Sequence, residues 1–122
     1  MSRVQTHRDL RVWRESLALA EAVFRMTSQF PHEERYGLSA QMRRAAVSVL
    51  SNIAEGAARD SSREFARFLG IARGSLAELD AQLTLAFRLN MLPEECAVDD
   101  QVRCVGQMLT SLSASIKARI RR

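Results

Sequence analysis

At 122 residues, 47% of them hydrophobic, the chain can bury one self-sufficient core and not two, which predicts a single domain over residues 1–122. Two prolines, five glycines and an apolar content carried by Leu, Ala and Met favour an all-α fold over a sheet. The formal charge is only +4, no stretch is apolar for long enough to span a bilayer, and the opening MSRVQTHRDLRVW lacks the apolar segment of a secretory signal, so the expected location is the cytoplasm with no membrane partner.

The first predicted helix covers about residues 9–29. Leu10, Trp13, Leu17, Ala20, Phe24 and Thr27 recur at spacings of three and four, the period of a helix face turned to a core, and Asp9 is placed to cap its first turn. Pro31 breaks the pattern, and a second helix follows over about 37–56. At 100° per residue, its Leu38, Met42, Ala45, Ala46, Val47, Val49, Leu50, Ile53 and Ala54 fill an arc of about 200°, interrupted only by Arg43. A helix flanked by two neighbours needs an apolar stripe of little over 100°, so the excess asks for a further surface, which points to a second copy of the chain. The remaining arc is a polar strip of Gln41, Arg44, Ser48, Ser51, Asn52 and Glu55.

Ser61 followed by Glu64 has the spacing of a capping box and opens a third helix over about 61–90. Its core row is Phe65, Leu69, Ala72, Leu76, Leu79, Leu83 and Ala86, and Asn90 is a residue that tolerates the left-handed conformation at a helix end. Gly70 and Gly74 stack on one side, where they predict a close backbone approach that offsets the cost of glycine in mid-helix. Pro93, Glu94 and Glu95 suit the first turn of a fourth helix over about 93–120, with Val98, Val102, Val105, Leu109, Leu112 and Ile116 on its core face. Four such helices with short connections predict an antiparallel up-down-up-down bundle.

Cys96 and Cys104 lie eight residues apart on one predicted helix, about 12 Å along its axis, which is too far for a bridge. With only His7 and His32 and no close Cys/His spacing, neither a metal site nor a cofactor is expected.

Several blocks carry a resemblance: DLRVW at Asp9 to Trp13, QMRRAAVS followed by NIAEG at Asn52 to Gly56, and REFARFLGIARGSLAEL at Arg63 to Leu79. In this order they resemble the four-helix-bundle family of 23S rRNA intervening-sequence proteins, from about residue 9 to residue 115. The resemblance implies a left-handed antiparallel bundle that assembles as a homo-oligomer, typically a pentameric barrel, and it supplies no catalytic residue. A related bundle, the accessory protein of diversity-generating retroelements, works with a reverse transcriptase and nucleic acid. Leu50 stands where the family often has a proline.

The basic residues comprise Lys117 and seventeen arginines, the cation best suited to bidentate phosphate contact. The predicted topology gathers Arg3, Arg8, Arg11, Arg14, Arg59, Arg63, Arg67, Lys117, Arg119, Arg121 and Arg122 at one end with Asp9, Glu15, Glu55, Asp60 and Glu64, eleven cations against five carboxylates. Glu33, Glu34, Glu94, Glu95, Asp99 and Asp100 face only Arg35 and Arg88 at the other end. In a ring of parallel copies the basic poles add, forming a rim that attracts a polyanion. The bland reading is that these arginines are solvated or answer helix dipoles.

Arg44, Ser48, Asn52 and Glu55 are placed to oppose Arg73, Ser75 and Glu78 across the second and third helices, a structural polar network that fixes register. A sharper reading pairs Glu55 with Glu78 as an acid/base site clamped by Arg73, but no histidine accompanies the carboxylates and no phosphate loop exists. The expectation is therefore a non-enzymatic oligomeric bundle that binds structured RNA or another nucleic acid through its arginine-rich end. The alternative is a protein-interaction scaffold that engages a different protein through apolar positions such as Val47, Leu50, Ile71 or Leu85.

Overall fold

The computed structural model describes residues 6–34, 36–92 and 97–121. Four helices, α1 (Arg11–Thr27), α2 (Leu38–Ala57), α3 (Ser62–Arg88) and α4 (Ala97–Ile120), are joined by short connections, with 3-10 turns at His7–Asp9 and His32–Glu34 and no strand among the described residues. Each helix packs on two neighbours, in the cyclic order α1, α2, α3, α4 and back to α1. Ser48 opposes Ser75 at mid-length, while Gly56, at the end of α2, meets Phe65 and Phe68 near the start of α3, so these two run antiparallel. No helix among the described residues is long and apolar enough to cross a membrane.

The core is aliphatic. Leu19, Met42, Ile53, Leu69, Leu79, Leu83, Leu109 and Ile116 are fully buried, and each such side chain contributes about 1.5–3 kcal/mol relative to exposure. The predicted rows of α3 and α4 turn inward almost intact. Phe65 and Leu112 are half-buried at the rim, and Phe68 and Ser113 are buried beside those rows.

Helix α1 presents part of the expected face to the core, through Leu10, Trp13, Ala20 and Thr27, and is rotated away from the rest. Val12, Ser16, Leu19, Ala20, Val23 and Thr27 point inward, while Leu17 and Phe24 are 39% and 42% exposed. The helix carries two apolar stripes about 90° apart, both with helical spacing; its neighbours bury one and only the start of the other, where Leu10 and Trp13 pack half-buried against the core. Arg43 fixes the choice: its Nε donates to Thr27 Oγ1 at 2.8 Å, its Nη2 to the Phe24 carbonyl at 3.2 Å, and its guanidinium lies 4.8 Å from the centre of the Phe24 ring. The one cation on the apolar side of α2 is thus the link that ties α2 to the carbonyl end of α1, where positive charge suits the helix dipole.

The helix ends also depart in part from expectation. Asp9 belongs to the 3-10 turn before α1, in a capping box with Thr6, and α1 begins after Leu10 with no side-chain cap. The α2 start is capped from outside, by Glu34 Oε2 accepting from the Leu38 amide at 3.3 Å. Ser61 Oγ accepts from the Glu64 amide at 3.2 Å, but the Glu64 carboxylate turns to Arg67 instead of closing the box. Asn90 takes φ 60°, and the Met91 and Asn90 amides bond the Ala86 and Phe87 carbonyls, which closes α3 at Arg88. The expected helical start at Pro93, with Cys96, lies outside the described residues; Cys104 is half-buried with a free thiol.

Gly70 and Gly74 are exposed, and a Cβ on either would meet nothing within 4 Å, so the close approach expected there does not occur inside this chain. It occurs at Gly56, where a Cβ would stand 2.7 Å from Phe68 Cβ. The glycine that matters to packing sits where α2 converges on α3 at the turn. Through Leu50, α2 is unbroken.

Candidate nucleic-acid interface

The end of the bundle where α1 begins, α2 passes to α3 and α4 finishes is drawn together by a cleft of about 270 Å³, whose walls include Leu10, Arg59, Ser61, Phe65, Ile116 and Arg119. The four segments that carry the predicted arginines therefore meet at one pole. Arg3 and Arg122 lie outside the described residues. Arg8, Arg11, Arg14, Arg59, Arg63, Arg67, Lys117, Arg119 and Arg121 are all exposed.

Three of these are committed locally. Arg67 is held by Glu64 through two bonds, Nε to Oε2 at 3.1 Å and Nη2 to Oε1 at 3.3 Å. Its guanidinium lies 4.5 Å from the centre of the Phe68 ring, and that of Arg59 lies 5.2 Å from the same ring. Phe68 is thus buried under two cations, a placement its position beside the periodic core row does not announce. Arg59 also approaches Glu55 at 3.9 Å, and Arg14 donates to the Arg8 carbonyl at 2.7 Å. Arg8, Arg11, Arg63, Lys117, Arg119 and Arg121 make no side-chain hydrogen bond or ion pair with any described residue, so their charge faces solvent. The hydrogen bond from Arg67 holds the Glu64 carboxyl below its ordinary value, against a smaller opposing effect of desolvation; the charges of Arg67 and Arg59 add to the lowering. The same bond raises Arg67.

At the opposite end, Arg35, Glu94 and Glu95 lie outside the described residues. Glu33, Asp99 and Asp100 are exposed there, and Asp100 accepts from Arg103 at 2.8 Å.

The predicted polar network shrinks to three residues. Ser48 Oγ and Ser75 Oγ are 2.8 Å apart, and Asn52 Nδ2 donates to the Ser48 carbonyl at 2.8 Å and to its hydroxyl at 3.0 Å. Arg44, Arg73 and Glu78 are exposed and join it through no bond among the described residues, and Glu55 turns to Arg59. The register explains this. With Ser48 level with Ser75, Glu78 lies at the height of Ala45, ten residues and about 15 Å along the axis from Glu55. The structure therefore brings no Glu55–Glu78 pair together, and Arg73 clamps neither.

The family model for 23S rRNA-intervening sequence proteins matches residues 8–111. The chain belongs to this family. No curated protein matches it. Among solved structures, it is similar to the 1.70 Å crystal structure of a protein with unknown function from the S23 ribosomal protein family of Bacteroides thetaiotaomicron VPI-5482. That likeness has a TM-score of 0.79 at 23% identity and covers 84% of this chain and 95% of the other, so the two share a fold.

Proposed function

We propose that this family member is a non-enzymatic bundle that works in the cytoplasm as a ring-shaped homo-oligomer, a pentamer, and binds structured RNA through its arginine-rich end without a cofactor. The observation that carries the reading is the set of six solvent-facing cations, Arg8, Arg11, Arg63, Lys117, Arg119 and Arg121, gathered from three helices, the turn before α1 and the turn after α4, with no ion pair among the described residues. Arginine charge left unpaired on one pole is suited to phosphate, and a ring of parallel copies multiplies it. The family's name, tied to inserts in ribosomal RNA, makes RNA the first polyanion to test.

Binding of a fluorescent structured RNA should weaken linearly on a log–log plot against salt. Replacing Arg63, Arg119 and Arg121 by glutamine should reduce the slope by about 2 for single-stranded contacts and by nearly 3 for duplex contacts, alike for all sequences. Salt-independent binding, or none at about 50 mM salt, removes the proposal. A scaffold for a different protein is the second reading, favoured by exposed Val47, Ile71 and Leu85. A purified oligomer that retains a distinct polypeptide and no nucleic acid would support it.

A further inference from the structure

We propose that copies of this chain join head to tail through two unlike faces, the α1/α2 seam of one copy seating Phe24 and Val47 on the outer row of α3, Gly74, Ala77 and Ala81, of the next. This rests on the oligomer reading above and assigns its interface.

The seam is the uncovered half of two wide apolar arcs. Leu17, Phe24 and Val47 are 39%, 42% and 41% exposed, and Phe24 and Val47 line one groove of about 540 Å³ with Arg43, Arg44 and Ser48. The receiving face has the opposite shape. Gly70, Gly74, Ala77 and Ala81 step by four, three and four along the solvent side of α3, all exposed, away from the buried row at Leu69, Leu76 and Leu83. A helix row turned permanently to water is better filled by long polar side chains, and two mid-helix glycines weaken the helix with no gain inside this chain.

Heights along the bundle match without any shift. Ser48 is level with Ser75, and Phe24 shares a groove with Val47 and Ser48, which puts Phe24 near the level of Ala77. Helices α1 and α3 run the same way, so Leu17, seven residues before Phe24, is level with Gly70, seven before Ala77. Two parallel copies set side by side therefore bring a bulky row against a small one over the same span. Charge agrees: the register places Arg44 within one residue of the height of Glu78, and neither has an ion-pair or hydrogen-bond partner among the described residues. Since the faces differ, the contact is heterologous and an open row of copies keeps one free face of each kind, at its two ends, until a ring closes.

Light scattering on mixed variants tests this directly. The wild type should run as a multiple of 13.7 kDa. A Phe24→Glu/Val47→Glu variant and a Gly74→Glu/Ala77→Glu variant, each with wild-type helicity, should each run as the 13.7 kDa monomer. Mixed in equal amounts they should form a dimer and nothing larger, because one intact seam meets one intact α3 face. Should either fail to fold, the exposed pair serves: Arg44→Glu and Glu78→Arg should each weaken assembly about tenfold or more, and the double variant should restore it. A monomeric wild type would remove the ring reading itself. An oligomeric wild type whose variants keep its mass, a mixture that stays monomeric, or a double variant no better than the singles would overturn this assignment alone.

Discussion

Gly56→Ala tests the convergence of α2 on α3. The added methyl carbon would stand 2.7 Å from Phe68 Cβ and 3.1 Å from Phe65 Cδ1. The first of these is fixed by the α3 backbone, so no rotamer change relieves it, and the two helices must separate at the turn. Overpacking of this kind costs about 1–3 kcal/mol. Alanine recovers up to about 1 kcal/mol through helix propensity, and less in a last turn, which leaves a net loss of about 1–2 kcal/mol. For a chain of this size that is a fall in Tm of several degrees, of order 3–5 °C per kcal/mol. The separation also lifts Phe68 from beneath Arg59 and Arg67, so the variant should unfold earlier in urea at unchanged oligomeric state. Gly106→Ala is the matched control, since its new methyl carbon would lie 3.4 Å from the tip of the Leu76 side chain, an ordinary contact, and it should gain up to about 1 kcal/mol. A Gly56→Ala protein as stable as wild type, or more so, would refute the close approach.

Arg43→Met keeps the aliphatic stem but strips the donors from the hydroxyl of Thr27, a residue 3% exposed, and from the Phe24 carbonyl; it should cost about 1–3 kcal/mol in urea unfolding. Glu64→Gln should give a pH signature: a carboxyl held below its ordinary value stabilises the fold above the ordinary carboxylate range and loses that effect as pH falls through its folded value. The stability gap between wild type and variant should therefore narrow from pH 7 to pH 3, and narrow also in high salt because the pair is exposed.

Periodicity was enough for α3 and α4 because each carries a single apolar stripe, and a stripe with one solution can be read without knowing its neighbours. The end at Asn90 was legible for a similar reason, since few residues tolerate φ 60°. Contacts set by register were not. Ser48, Asn52 and Ser75 meet, yet Glu55 and Glu78 share the same strips and lie about 15 Å apart along the axis, because helical phase fixes which side a residue faces and not how far one helix has slid past the other. Phe68 was missed because the two arginines that cover it come from opposite sides of a turn.

The misplaced face of α1 and the excess apolar width of α2 have one physical origin. Two helices each bear more apolar surface than a four-helix monomer can cover, and the surplus from both falls on the same seam. For α1 the sequence offers two periodic stripes of comparable strength, and the aromatic one is covered only in part: Leu10 and Trp13 pack against the core, while Leu17 and Phe24 stay outside. Arg43 decides between them, because a guanidinium that must reach the Thr27 hydroxyl and the Phe24 carbonyl at once pins the rotation of α1 about its axis. A helix face that reads as core and is found exposed is the surface on which the proposed assembly rests, since burying it would take it out of water.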